Sequence, residues 1–303
     1  MFEHILVPLD GSELAEAALP AAVLLAGKFR AALTLIHVIE KNAPQEVHGQ
    51  PHLRDAAAAA EYLTSLARRC VPAEISVDFH VHTAEVRDVA DSIVAHADEL
   101  HHDLIVMCAH GRGRALRLFL GSIAQTVIGR GSLPVLIVRP DAGGSTAPFA
   151  CSSILTPLDG NPEHDERSLP MARDVARACG AALHLAMVIP EFDNLSGPLT
   201  VTSRLLPGTT TKMLELSARD AESYLAEQMD SLRRDGVDGQ AQVRRGDPAT
   251  AITDVALQLH ADVIVLATHG KSGMEALWAG SVAHKVCSRC NLPLLLAPIG
   301  GRR

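Results

Sequence analysis

The chain is written twice, and that limits its fold more than any other feature. EHILVPLDGSE at Glu3–Glu13 returns as SSILTPLDGNPE at Ser152–Glu163, with Asp10 and Asp159 149 residues apart. LTLIHVI at Leu33–Ile39 returns as LHLAMVI at Leu183–Ile189, a spacing of 150. HHDLIVMCAHG at His101–Gly111 returns as HADVIVLATHG at His260–Gly270, and GSLPVLIVRP at Gly131–Pro140 as CNLPLLLAPI at Cys290–Ile299, both at 159. Motifs that recur in one order at domain-sized spacing mark two copies of one domain. The drift from 150 to 159 implies about nine inserted residues in the second copy, and the Gly, Pro, Ser and Thr of Asn194–Lys212 place them there as a loop. DAGGSTAPFA, Asp141–Ala150, reads as a flexible linker. The expected organisation is a domain over 1–140, a linker over 141–150 and a domain over 151–303.

Within each copy, short apolar runs alternate with amphipathic stretches. In the first, ILVPL, LTLIHVI, ISVDFHVH, LIVMCA and VLIV read as strands, with helices expected over Ser12–Phe29, Leu53–Arg69, Val86–His96 and Ser122–Arg130. Continuous Val/Ile/Leu runs suit strands buried on both faces, and β-α alternation implies a parallel sheet. Each copy is therefore expected to be a doubly wound α/β domain. ISVDFHVH alternates Val77, Phe79 and Val81 with Asp78, His80 and His82, which places it at a sheet edge with one wetter face.

Composition narrows the function classes. A net charge of −8 argues against nonspecific nucleic-acid binding as the main task, and 3% aromatic content argues against a base-stacking surface. The first residues lack a basic region followed by a long apolar stretch, and Leu14–Gly27 is interrupted by Glu16 and Pro20, so a cytoplasmic protein without a membrane partner is expected. Six cysteines stand without a disulfide-framework spacing.

The chemistry concentrates in MCAHGRGRALRLFLGS, Met107–Ser122, and its repeat LATHGKSGMEALWAGS, Leu266–Ser281. Open parallel sheets bind ligands at the carboxyl ends of strands, where the winding reverses. Glycine lets backbone approach a phosphate, and a Gly-Ser pair opening a helix offers unpaired N–H groups at the positive end of its dipole. Arg112, Arg114 and Arg117 add anion affinity in the first copy, whereas the second has Lys271 and Glu275. A competing reading makes Ser122 only a helix cap and Gly111 only the end of a strand.

With VPLDGS near the start, HVIE after the second strand, and HG-x9-GS followed by a helix and LPVLIV, each half resembles a universal stress protein domain, and the whole resembles a tandem universal stress protein. The resemblance implies five-stranded, mainly parallel sheets of order 3-2-1-4-5 flanked by helices. It also implies fifth strands that pair the two halves as an intrachain pseudo-dimer. An adenine nucleotide, ATP, is the implied cofactor, and its pairing with Mg²⁺ stays open. Asp10 and the backbone near Val38 would hold adenine, and Gly111, Gly121 and Ser122 the phosphates. The implied binding set is Pro8, Asp10, Val38, Met107, His110, Gly111, Arg112, Gly121, Ser122 and Ile123 in the first half. In the second it is Pro157, Asp159, Val188, Leu266, His269, Gly270, Gly280, Ser281 and Val282. The family pattern is G-x2-G-x9-G, and its first glycine is replaced here by Cys108 and by Ala267. The arginines favour the first half as the phosphate binder.

Three functions follow. The first is a nucleotide-binding regulatory module of the stress response, with at most slow ATP hydrolysis, whose occupancy changes its shape or its regulatory protein partners. The second is a nucleotide-free interaction or chaperone-like protein with degenerate sites. The third, a hydrolase or ligase sharing the fold, lacks a recurring catalytic dyad. A further homodimer of tandem chains stays open.

Other constellations carry less. Cys287-Ser-Arg-Cys290 falls near the end of a helix, the wrong end to lower a thiol pKa. His48 and His52, His80 and His82, and His101 and His102 form pairs to which no third ligand aligns, so no metal is assigned to them. His110 and His269 either brace the turn or touch a ligand. Asp10 and Asp159 either join a divalent ion beside phosphate or cap the next helix. Ser12 and Asn161 are expected to cap helices, and no Walker sequence occurs.

Overall fold

The computed structural model describes residues 1–47, 50–109, 120–140, 148–195, 205–269 and 281–299. The predicted linker therefore lies mostly outside the described residues. The chain divides into two units. One is built on residues 1–150 and takes in the last strand of the chain; the other is built on residues 151–267 and 280–290.

In the first unit the apolar runs form β1 (His4–Pro8), β2 (Ala32–Glu40), β5 (Val77–Val86), β6 (Leu104–Cys108) and β7 (Val135–Val138), with a short antiparallel pair, β3 (Glu46–Val47) and β4 (Gln50–Pro51), between β2 and β5. The sheet runs β5-β2-β1-β6-β7, all parallel, which is the 3-2-1-4-5 order. Beyond β7 lies β12 (Leu294–Ile299), antiparallel, with Leu294 opposite Ile137 and Leu296 opposite Val135. A short apolar strand left at an edge would be open to wrong pairing, and here the fifth strand of the second repeat covers it. In the second unit β8 (Ser153–Leu158), β9 (Ala182–Ile189), β10 (Ala241–Arg245) and β11 (Val263–His269) take the parallel order β10-β9-β8-β11.

The helices of the first unit are α1 (Glu13–Glu16), α2 (Leu19–Phe29), α3 (Ala56–Cys70), α4 (Val89–Glu99) and α5 (Ser122–Arg130). Those of the second are α6 (Pro162–Cys179), α7 (Pro207–Arg234), α8 (Pro248–Gln258) and α9 (Val282–Arg289). Ser12 caps α1 and Asn161 caps α6 through their side chains, as expected. The single helix predicted over Ser12–Phe29 is instead two, α1 ending at Glu16 and α2 opening at Leu19 with Pro20 in its first turn, whereas α6 of the second repeat runs on through the equivalent Pro170. Among the described residues no helix is long and apolar enough to cross a membrane.

The loop reading of 194–212 also fails in part. Residues 192–194 form a 3₁₀ turn, 196–204 lie outside the described residues, and 207–212 are the first turns of α7. Pro207 suits a helix start, and the Thr210 and Thr211 hydroxyls donate to the carbonyls of Leu206 and Pro207, so the composition that suggested a loop opens a helix. The expected nine residues are a net figure. His80 and Gln242, equivalent by sheet register opposite Ile36 and Ala186, are 162 apart, while Ile36 and Ala186 are 150 apart. The later fall to 159 coincides with an irregularity in β5 between its pairings with Val38 and Glu40. β5 lies at the edge, as predicted, but its face assignment is reversed in part: Phe79 is 42% exposed and His80 and His82 are half-buried.

Three polar ties recur in both repeats and explain residues that periodicity does not. Asp103 accepts from the N–H groups of Glu3 and His4, and Asp262 from those of Ser152 and Ser153, so each carboxylate satisfies the backbone leading into a central strand. Tyr62 donates to Glu16 at 3.1 Å, as Tyr224 does to Asp165 at 2.8 Å, tying α3 to α1 and α7 to α6. Asp88 caps α4 and meets Arg130 at the end of α5; Asp247 caps α8 and meets Arg289 at the end of α9.

Two outcomes are expected. Arg30 ends α2 in the left-handed region at φ 56°, where the second repeat has Gly180 at φ 69°. Arg30→Gly should raise stability by about 0.5–1 kcal/mol, read as a higher urea midpoint at unchanged slope. Hydrogen bonds from the Thr250 hydroxyl and N–H, with Arg289 beside them, hold Asp247 down at about 2, and the Asp91 N–H lowers Asp88. A depressed carboxyl stabilises the fold above its unfolded value and loses that contribution as pH falls through the folded value. The Asp88→Asn, Asp247→Asn double variant should therefore lose stability at pH 7 and show a shallower acid-side decline between about pH 4 and 2 in urea titrations.

Candidate functional site

Winding reverses between β1 and β6, which leave the sheet centre in opposite directions, and a crevice opens beyond their carboxyl ends. A cavity of about 540 Å³ occupies this place, within the range of small-molecule sites. Its walls come from separate elements of the first unit. Pro8 ends β1, with Leu9 and Asp10 just after it; Ile36, His37, Val38 and Glu40 belong to β2; Met107 and Cys108 end β6. Leu120 to Ala124 supply the start of α5, Val89 and Ile93 come from α4, and Pro44, Val47 and His52 from the segment around β3 and β4.

Seven of the ten positions predicted in the first half line this one space: Pro8, Asp10, Val38, Met107, Gly121, Ser122 and Ile123. His110, Gly111 and Arg112 lie outside the described residues. Asp10 is anchored by the Ser12 N–H at 2.9 Å and the Ser12 hydroxyl at 2.6 Å, and Ser12 in turn accepts from the Ala15 N–H. The carboxylate thus braces the turn into α1 and borders the cavity at once. Gly11 makes that turn possible: its φ is +90°, and a Cβ there would come within 2.8 Å of Leu53. At the opposite wall Gly121 is the N-cap of α5 and has no side-chain cap bond, so the first turn presents backbone donors without a competing side-chain acceptor from its cap.

Cys108 stands where the family pattern has glycine. It is buried in the cavity wall, and burial, aided by the charge of Asp10, pushes its thiol up to about 12. The side chain is therefore uncharged at neutral pH and reduces the space without repelling an anion.

The lining includes groups that the sequence reading passed over. His37 is fully buried, its ring nitrogens facing the carbonyls of Leu9 at 2.8 Å and Leu53 at 3.0 Å, so it joins the end of β1 to the segment before α3. Burial lowers the His52 pKa against the pull of Glu40, and its Nδ1 is buried without a hydrogen-bond partner. The repeat could have pointed to His37, since Met187 holds its place in the second half, but His52 reaches the cavity only through the fold.

The second half is arranged differently. Asp159 is largely exposed; its carboxylate accepts from the Asn161 N–H at 2.9 Å and lies 2.6 Å from His164 Nδ1. The N–H groups of Asp159 and Gly160 are taken by buried Asp165, whose pKa burial raises. Pro157 lies in β8, Val188 in β9 and Leu266 in β11, while Ser281 caps α9 by accepting from the His284 N–H and Val282 is exposed. His269 closes β11, and Gly270 and Gly280 lie outside the described residues. Among the described residues, none of the second-half positions borders the 540 Å³ cavity.

Among the other motifs, Cys287 and Cys290 are both buried at the C-terminal end of α9, and no disulfide joins any of the six cysteines. His48 lies outside the described residues, and His101 turns the chain after α4 at φ 55°, as His260 does after α8 at φ 47°.

Comparison with known proteins agrees with this architecture. The model of the universal stress protein family matches residues 1–139 and 152–298. The universal stress protein E homolog of Haemophilus influenzae is 24% identical over 318 residues, covering 96% of each chain. The stress response protein NhaX of Bacillus subtilis is 26% identical over 164 residues, 49% of this chain and 98% of its own. The chain spans about 61% of the length of Rv2005c, a universal stress protein of Mycobacterium tuberculosis. Among solved structures, a Pseudomonas aeruginosa protein of unknown function, PA1789, matches with a TM-score of 0.68 at 20% identity, over 98% of this chain and 93% of that one. A universal stress protein from Archaeoglobus fulgidus matches at 0.66 and 18%, over 98% and 96%. At these identities the structures speak for the fold alone. The two family matches cover both repeats, and the chain belongs to the universal stress protein family.

Proposed function

We propose that the first repeat binds an adenine nucleotide, ATP with Mg²⁺, and that occupancy of this site regulates the protein's shape or its partners in a stress response. The observation that carries this reading is the convergence of Pro8, Asp10, Val38, Met107, Gly121, Ser122 and Ile123, distant in sequence, on one cavity at the winding reversal. The residues fit the cofactor. The apolar walls from Ile36, Val38, Met107 and Ile93 suit a base, with the backbone near Val38 to read its edge. The start of α5, with the Ser122 hydroxyl, suits phosphate. Asp10 provides the single carboxylate that Mg²⁺ takes beside phosphate oxygens. Arg112, Arg114 and Arg117 follow β6 in sequence and add positive charge to the stretch before Gly121. His52 and Glu40 are added as groups facing the base or sugar. The first repeat is the stronger site because Ser281 already caps α9, whereas the Gly121 cap leaves the first turn of α5 without a side-chain bond. Hydrolysis is at most slow in this reading, since no catalytic dyad recurs in the two repeats.

Mass spectrometry of small molecules released by heat or acid from freshly purified protein should find adenine nucleotide at about one per chain. A value near two would assign the second repeat as well. A protein that releases none and fails to bind added Mg-ATP would make the glycine turns structural and leave an interaction module. Gly121→Asp should weaken Mg-ATP binding more than tenfold in calorimetry, a loss of at least about 1.4 kcal/mol, by placing a carboxylate where phosphate would sit. Unchanged affinity in a folded Gly121→Asp, Gly280→Asp protein would overturn the phosphate cradle.

A further inference from the structure

Away from the cavity, three histidines meet in the first unit. His80 and His82 are two residues apart on β5, so they share a face, and that face meets α4, which contributes His96 from its buried side. One ligand nitrogen from each lies within 4.8 Å of the other two. His82 Nδ1 and His96 Nε2 are 3.2 Å apart, close to the ~3.3 Å edge of a tetrahedron whose metal–nitrogen bonds are about 2.0–2.1 Å. We infer that His80, His82 and His96 form a binding site for a divalent transition-metal ion of the zinc class, with a remaining coordination position open to water.

Three observations favour an ion over a plain contact between rings. His96 Nδ1 lies 2.7 Å from the Ser92 carbonyl, which can only accept, so Nδ1 carries the proton and Nε2 turns its lone pair to the cluster. Backbone fixing of the outer nitrogen is the usual second tie of a metal-bound imidazole. His80 Nε2 is buried with no hydrogen-bond partner, and a metal would satisfy it. The fold itself does not require these residues. By sheet register the second repeat places Gln242 and Arg244 where His80 and His82 stand, and at the 159-residue spacing of the α4 and α8 caps Val255 replaces His96. The same architecture forms there without an imidazole at any of the three places. Nearby, Glu99 at the end of α4 adds a negative charge that acts on His80. The ion would fasten the edge strand β5 to α4, whose Val89 and Ile93 border the cavity.

The test uses the full chain without a histidine tag, stripped with chelator at pH 7.5 and titrated with Co²⁺ and then Zn²⁺. The expected result is visible ligand-field absorption from Co²⁺ saturating at one per chain, displaced by Zn²⁺, with a rise in melting temperature. His82→Ala, a half-exposed change, should weaken binding at least tenfold. His80→Gln, His82→Arg, His96→Val, which imports the second repeat's residues, should abolish the absorption and the thermal shift. Absence of the Co²⁺ spectrum in the unmodified chain, or an unchanged spectrum and affinity in His82→Ala, would overturn the site; should the triple variant not fold, His82→Ala alone decides.

Discussion

Everything in the first repeat hangs on β1 being hydrogen-bonded on both sides by parallel strands, β2 on one flank and β6 on the other. Strands paired on both sides and covered on both faces must be apolar, which is why ILVPL and LIVMC carry no charge. The backbone leading into such a strand needs a partner, and Asp103 supplies it from the residue before β6. Since the chain leaves β1 toward β2 and later returns to β6 on the other side, the loops after these strands diverge, and the space between them becomes the cavity. The same carboxylate tie recurs at Asp262, so both repeats share this frame.

What differs between the repeats is how the frame is furnished. The turn after β1 in the first repeat keeps Asp10 at the cavity through Ser12, and the segment carrying β3, β4 and His52 lies over it, tethered by His37. In the second, Asp165 takes the backbone donors of the turn, Asp159 faces solvent toward His164, and α7 runs 28 residues where α3 runs 15. Duplication preserved the sheet and its polar ties while the rims diverged. The histidine cluster on β5 and α4 is a second asymmetry between the repeats.

The sequence by itself determined the duplication, the α/β class and the main strands of the first repeat, while the family resemblance supplied seven of the twenty residues that line the cavity. The duplication, the class and the strands follow from local rules: apolar runs of strand length, recurring in one order, separated by helices with capping residues such as Ser12 and Asn161. Local rules also misled where composition has two meanings. Pro207 and the threonines after it suit a loop or a helix start equally, and only the hydrogen bonds to Leu206 and Pro207 decide between them. Pro20 permits a continuous helix or a break, and the break was decided by the chain's path from the α1 cap.

Only the tertiary structure decided which residues meet across elements. His96 lies fourteen residues from His82 in sequence, and no periodicity links a position on an edge strand to one on the following helix. His52 enters the cavity because β3 and β4 fold back over it, and Asp165 withdraws donors from the second repeat because α6 starts close to the turn. The β12–β7 pair closing the sheet edge joins residues about 160 apart, Leu294 and Ile137, through backbone groups that every sequence carries. Hydrophobic pattern sets which residues are buried. Which buried residues become neighbours depends on the chain's path between strands, and there the distance along the sequence says nothing.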